Sequence, residues 1–417
     1  MDQNITSQNK QYKTTIISNF SIICLSSMEW DEVWTSKQHI MSLLSESNRV
    51  YYIERPVSIF ALLRPSRWYK LKRWWRKYNR INEKLTIIYP PPIISRGSEF
   101  PFISYLFPFF NSLNTMILRR FIKSIKKDFG LEKFIFWSYE PYAGNLIPAI
   151  KPFVSVYHCV DDFSSYPGAA GKSLAAAEET LIKNSDIVLV VNKSLLASKT
   201  GLNMNTHIIP HGVDIAFLNE VAGSAELPVA KTKGLVFLCF TGTISELLDF
   251  KILKHILEER KNFRLFLIGP VAPRFISRFG SFREDLKGLL GTGRAFLLGK
   301  KDKKEIPGLL AKMDVCLIPY VLDYHIKNCF PTKMFEYLAL GKPVVSVEIP
   351  VVREYESVIH IAEGKEQFLS SIDRALETAG DTALMERRKA VARDSTWITR
   401  VEQISRLITD HIMNAGK

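Results

Sequence analysis

Short apolar runs alternate with helical patterns along most of the chain, and this alternation limits the possible folds more than any other feature. In the first half the runs lie at 21–25, 49–53, 85–89, 134–137, 154–159, 187–191 and 207–210. In the second half they lie at 235–240, 263–268, 295–298, 315–318 and 343–347. Near-continuous apolar runs of this length suit strands buried on both faces. Helical patterns separate most of them, at 36–44 and 116–127, then at 247–259, 304–313 and 332–340. The fold class this predicts is α/β, with two Rossmann-like, doubly wound parallel-sheet domains facing a central cleft. Ligands of such domains are expected in that cleft.

A chain of 417 residues is long enough for two cores. The first domain is expected over 1–218. A small, polar stretch at 219–234, with Gly223, Ser224 and Pro228, lacks periodicity and reads as a linker. The second domain is expected over 235–394, and a final amphipathic helix falls within 395–417. No apolar run reaches the length of a membrane-spanning helix. The N-terminal MDQNITSQNKQYK is polar and lacks a signal-peptide pattern. The cysteines are scattered and form no metal-type pair, which reads as reduced core residues of a cytoplasmic protein, with no metal and no cofactor expected.

The chemistry concentrates in residues 331–346, PTKMFEYLALGKPVVS. Pro331 sits where a helix can begin. Met334, Phe335, Leu338 and Ala339 recur on one helical face, Gly341 stops the helix, and Pro343 opens a strand. Lys333 and Glu336 are the polar groups of the first turn and a half. A helix start at the carboxyl edge of a parallel sheet attracts phosphate. A lysine there adds charge for a diphosphate, and a carboxylate one turn on can accept two ribose hydroxyls. An ordinary αβ unit with a solvated Lys–Glu pair accounts for these two residues equally well.

The pattern P-x-K-x-x-E-Y-L-A-x-G-K-P-V-V resembles the donor-site helix of GT-B glycosyltransferases in the retaining group around family 4, and most closely the bacterial teichuronic acid and envelope-polysaccharide enzymes. The resemblance implies that Glu336 holds the nucleotide ribose and Lys333 the diphosphate. Many relatives carry a second Glu eight positions before; here that position is Asn328, which would meet the donor sugar through its backbone. The strand 235–240 runs into Thr241-Gly242-Thr243, where many relatives follow the glycine with Arg. Gly242 lets a diphosphate approach, Thr243 stands in the Arg position, and Lys333 is left to neutralise the leaving group. Gly299 and Lys300, after another strand, are expected beside the base.

In the first half VYHCVDDF resembles the Y-D-C-V-D-D-F element of the same enzymes, with His158 in place of the first Asp. Asp161 and Asp162 follow the strand end, and adjacent residues point apart, so one of them is expected at the site. His158, Asp161 and Asp162 are the candidate catalytic groups, as base or hydrogen-bond donor. One Asp capping the following turn is the simpler structural reading. The resemblance places Trp30, Trp34 and His39 beside the acceptor, with Tyr139 on a second such loop.

The positive charge, +14 in net terms, is partly local: residues 64–80 hold eight Lys and Arg and no acid. Read as one helix, they place Trp68, Leu71, Trp75 and Tyr78 in a stripe and Lys70, Arg73, Lys77 and Arg80 opposite. That describes an interfacial helix, with Trp68, Trp74 and Trp75 at the headgroups and the basic residues on anionic lipid. A nucleic-acid patch is the other use of such a segment. The adjoining residues 101–110, PFISYLFPFF, read as an apolar loop.

The expected protein is a metal-independent glycosyltransferase of the hexosyl type, peripheral on the inner face of the cell membrane. It would move a sugar from a UDP- or GDP-sugar to a lipid-linked glycan with retention. Its expected partners are the donor, the lipid-linked acceptor and an anionic membrane, with no nucleic acid. The alternatives are inversion with Asp161 or Asp162 as base, a sugar-nucleotide epimerase, and a non-catalytic GT-B scaffold that binds anionic lipid or nucleic acid.

Overall fold

A computed structural model describes residues 16–32, 34–94, 107–162, 168–214, 226–272, 282–327, 329–414 and 416. The chain splits into two compact units, Met1–Pro210 with Trp397–Lys417, and His211–Thr396.

The first unit is built on an eight-stranded sheet. Its strands are β1 (Ser21–Leu25), β2 (Arg49–Ile53), β3 (Tyr78–Arg80), β4 (Leu85–Ile88), β5 (Phe134–Ser138), β6 (Val154–Cys159), β7 (Ile187–Val190) and β8 (Thr206–Ile208), in the order β3-β4-β2-β1-β5-β6-β7-β8. Every neighbouring pair is parallel except β3 with β4. Helices α1 (Ser36–Ser45), α2 (Tyr69–Arg76), α3 (Phe107–Asp128), α4 (Gly168–Asn184) and α5 (Lys193–Lys199) lie among them. The apolar residues of the sheet feed two separate clusters, one on each face. This is why the strands are apolar throughout rather than alternating.

The C-terminal helix, Trp397–Asn414, belongs to this unit. Trp397, Val401, Ile404 and Ile408 form a single helical stripe and are buried against the α1 face of the sheet. Each aliphatic side chain buried this way contributes about 1.5–3 kcal/mol. The Trp397 ring stacks on His39 of α1, with centroids 5.2 Å apart.

Two expectations for this unit are corrected. Residues 64–80 do not form one helix: a 3-10 turn at Pro65–Arg67 leads into α2, which stops at Arg76. Lys77 takes the left-handed backbone (φ 67°) that ends the helix, and Tyr78–Arg80 then pairs antiparallel with β4 at the sheet edge. Tyr78 and Arg80 are therefore strand residues. Phe107 to Phe110 are not loop but the first turn of α3.

The second unit holds a six-stranded, fully parallel sheet of β9 (Val236–Thr241), β10 (Phe263–Ile268), β11 (Ala295–Gly299), β12 (Val315–Ile318), β13 (Val344–Val347) and β14 (His360–Ala362), ordered β11-β10-β9-β12-β13-β14. The helix expected from 247 begins instead at Phe250, because the Asp249 carboxylate accepts the backbone N–H groups of Lys251 and Ile252 and caps it there. Helix α6 (Lys333–Ala339) buries Met334, Phe335, Tyr337 and Leu338 in the core of this unit. The strand order reverses between β9 and β12, a switch point where parallel sheets of this kind bind ligands. His211 to Asp214 lies in this unit: Val213 N–H donates to the Ser395 carbonyl (2.8 Å) and the His211 ring packs edge-on against Phe330.

Candidate active site

A cavity of about 260 Å³ opens at the carboxyl ends of β9, β10 and β11 in the second unit. Its wall brings together Gly242, Lys300, Lys333 and Glu336, with Gly269 and Lys301 beside them. The backbone builds its floor. Gly242 N–H donates to the Ile268 carbonyl and Gly269 N–H to the Gly299 carbonyl, each at 2.9 Å. Gly269 (φ 149°) lies so close to Gly242 that a Cβ on it would fall 2.0 Å from the Gly242 oxygen. Only glycine permits this approach.

Lys333 crosses from α6 to this floor. A methyl group on Gly242 would sit 2.8 Å from its Nζ. The ammonium donates to the Tyr320 hydroxyl (2.6 Å) and lies 3.8 Å from the Phe240 ring centroid and 4.9 Å from that of Tyr320. Burial pushes its pKa down to about 7, with Glu336 acting against the shift. The same burial raises the Glu336 carboxyl, helped by Asp214 and opposed by Lys333 and Lys303. Lys303 itself pairs with Asp214 at 2.9 Å. One turn further along α6, the Tyr337 hydroxyl accepts Thr241 N–H (2.8 Å) and meets the Thr241 hydroxyl at 2.9 Å. Tyr337 thus pins the end of β9 to the helix that carries Lys333 and Glu336.

Thr243 is exposed and outside the cavity lining. Gly299 contributes its carbonyl to the floor rather than a surface. Asn328 lies outside the described residues. Tyr320 and Phe240 escape the sequence reading, although Tyr320 follows β12 at its carboxyl end, a position where site residues collect.

In the first unit the catalytic candidates separate. His158 is buried within β6, its ring 5.1 Å from Tyr139 and 5.9 Å from Trp137. Tyr139 is buried as well, with the Lys37 ammonium 5.4 Å from its ring. Asp161 is exposed and influences Lys37 on α1, whereas Asp162 influences Lys199 on α5. The two carboxylates therefore act on opposite sides of the β6 end. Trp30 is a core residue, edge-on to Tyr52 (5.0 Å) and Trp34 (5.2 Å). Trp34 is 44% exposed and meets the His39 ring edge-on.

Of the basic face expected to meet lipid, Lys70 and Arg73 are instead turned into the protein, whereas Lys77 and Arg80 stay exposed. Lys70 pairs with Glu29 (2.8 Å) and Glu54 (3.4 Å). Arg73 reaches Glu29 and Glu54 (3.2 Å each) and Asp31 (2.7 Å). Glu54 is buried at the carboxyl end of β2, where it also accepts Trp30 N–H at 3.1 Å. A buried carboxylate needs such partners. The outward stripe of α2 is Trp68, Lys72, Trp75 and Arg76, with Trp75 82% exposed.

The family model of glycosyl transferases group 1 matches residues 240–378, the stretch that holds the cavity. A relative from Bacillus subtilis (strain 168), by name the teichuronic acid biosynthesis glycosyltransferase TuaH, is 26% identical over 241 residues, which cover 56% of this chain. The match spans 59% of that relative's length. Sucrose-phosphate synthase from Thermosynechococcus elongatus superposes with a TM-score of 0.67 at 14% identity, covering 96% of this chain and all of that one (100%). Anabaena HepE in complex with UDP gives 0.63 at 12% identity, with coverage of 94% and 100%. An α,α-trehalose-phosphate synthase (UDP-forming) from Burkholderia xenovorans gives 0.66 at 12%, with coverage of 93% and 99%. The chain has the GT-B fold, and its residues 240–378 match the family model of glycosyl transferases group 1.

Proposed function

We propose that this chain is a glycosyltransferase that takes a UDP-sugar in the second unit and delivers the sugar to a membrane-linked glycan. The observation that carries the donor half is Lys333 lying against the glycine floor with Glu336 one turn along the same helix. A diphosphate over Gly242 would meet the Lys333 ammonium, and the ribose would meet Glu336. The UDP held by HepE supports UDP over GDP. Charge developing on the departing diphosphate would be stabilised by Lys333. The sugar passes through an oxocarbenium-like state, and with retention the leaving phosphate assists removal of the acceptor proton. The burial of His158 favours retention over a base at that position. UDP and GDP are compared by thermal shift, and product NMR then reports the anomeric configuration. UDP is expected to stabilise the chain more than GDP, with the donor's configuration kept. Inverted product, lost on Asp161→Asn or Asp162→Asn, would transfer the role of base to that carboxylate.

The membrane half rests on an exposed surface. Ile59, Leu63, Trp68, Tyr69, Trp74, Trp75, Tyr78 and Ile81 are all more than a third exposed. Exposed cations Arg64, Arg67, Lys72 and Arg76 stand among them. Mixed aromatic and basic surfaces of this kind lie in the headgroup layer. No helix among the described residues is long and apolar enough to cross a membrane. Each basic residue near an anionic surface contributes about 1 kcal/mol. Trp68→Ser with Trp75→Ser, or Lys72→Glu with Arg76→Glu, is expected to release the protein from phosphatidylglycerol vesicles in co-sedimentation. Transfer to a short soluble acceptor is expected to survive. Full vesicle binding by both double variants would refute the membrane surface.

A further inference from the structure

A second cavity, of about 200 Å³, lies in the first unit between the β3–β4 edge, α2 and α3. Its walls are aromatic: Trp74, Tyr78, Tyr89, Phe121 and Phe129. Ile88 and Ile125, both buried, close its floor. It opens next to the exposed tryptophans of α2, since Trp74 both lines it and is 37% exposed. Cations stand at the rim. Lys77 lines it, and the Arg80 guanidinium lies over the Tyr78 ring at 5.9 Å. Arg73 lies over the Tyr89 ring at 5.4 Å, but its charge is committed to Glu29, Asp31 and Glu54. The acid at the rim, Asp128, accepts the Ser124 hydroxyl (3.4 Å). Lys77 holds φ 67° and ψ −54°, a backbone conformation that a lysine adopts only under strain. That strained residue sets a positive charge at the mouth of an apolar slot.

We propose that this cavity binds the lipid-phosphate end of the acceptor, with the first carbons of its chain between the aromatic walls and its phosphate at Lys77 and Arg80. The inference deepens the reading of a membrane-linked acceptor and rests on it. A sugar ring fits the observations less well. It needs hydrogen-bonding groups around its rim, and most of this lining is rings and isoleucines. A hydrocarbon chain needs only contact area, and the cationic mouth supplies the complement to a phosphate.

The test is isothermal titration of the full chain with farnesyl phosphate, with dodecyl phosphate as a second arm and inorganic phosphate and methyl glucoside as controls. Ser124→Trp plugs the cavity from an exposed position. Lys77→Gly removes the rim charge and suits the left-handed backbone, so it preserves folding. Farnesyl phosphate is expected to bind the native chain, and each variant to bind it about tenfold more weakly or worse, with UDP binding unchanged. Tighter binding of farnesyl than dodecyl phosphate marks a prenyl chain, and the reverse an acyl chain. Equal affinity in native and variant chains, no binding to the native chain, or binding of methyl glucoside that Ser124→Trp abolishes would overturn the proposal. UDP binding separates its failure from that of the donor site. A native chain that binds UDP but not farnesyl phosphate loses only this inference.

Discussion

Replacing Lys333 by methionine is expected to weaken UDP binding about tenfold to a hundredfold and to flatten its dependence on pH. The first effect is the loss of a charge-assisted contact, about 1.5–3 kcal/mol. The second follows from the position of the lysine in the cavity wall. Burial against Phe240 and Tyr320 lowers its pKa to about 7. A bound diphosphate favours the charged form and raises that pKa again. Below pH 7 the lysine is already charged, so affinity changes little. Above pH 7 binding must bring a proton with it, and affinity falls by about tenfold per unit until the pKa of the complex is reached. Titration calorimetry at about pH 8, in buffers of different ionisation enthalpy, should therefore register uptake of close to one proton. The methionine variant should show none. A native affinity that stays constant from about pH 6 to about pH 9 would contradict this account of Lys333.

Glu178→Leu is expected to cost about 3–5 kcal/mol of stability, the penalty for leaving a buried charge without its partner. Glu178 is buried on α4, where one carboxylate oxygen accepts from Lys199 (2.7 Å) and the other from the Tyr157 hydroxyl (2.7 Å) and the Cys159 thiol (3.3 Å). The Cys159 thiol also donates to the Asp161 carbonyl at 3.1 Å. The network thus ties α4 and α5 to the end of β6, immediately before the Asp161–Asp162 pair. Chemical unfolding would measure the loss. Adding Lys199→Met should recover most of it, because the second change removes the stranded ammonium. A single variant as stable as the native chain would show that the pair carries no such energy.

The strands were the most legible elements. The apolar runs at 21–25, 49–53, 154–159, 263–268 and 315–318 coincide with β1, β2, β6, β10 and β12 to the residue. A strand covered on both faces is apolar along most of its length, so the run itself marks its extent. Helix α4 was harder to see. Its first 11 of 17 residues, GAAGKSLAAAE, are dominated by glycine and alanine, which are too small to mark a face. Strand β3 is three residues long, and its register comes from β4 rather than from any pattern of its own.

The spacing of Lys333 and Glu336 on one helical turn, and the strand–helix alternation that makes the second sheet parallel and the first parallel but for its β3 edge, are local patterns. The sequence alone determines them, because each is written in residues a few positions apart. What Lys333 does with its charge was decided elsewhere. The groups that desolvate and hold it come from the ends of two strands, Phe240 and Gly242 from β9 and Tyr320 from β12. The same holds for α2. Its periodicity separates a Lys70–Arg73 face from a Trp68–Trp75 face, but cannot say which one turns inward. Glu29 and Glu54, placed at the carboxyl edge of the first sheet, draw the arginine and lysine in and leave the tryptophans outside. A buried charge must be matched by its counter-charge, and only the fold brings the two together.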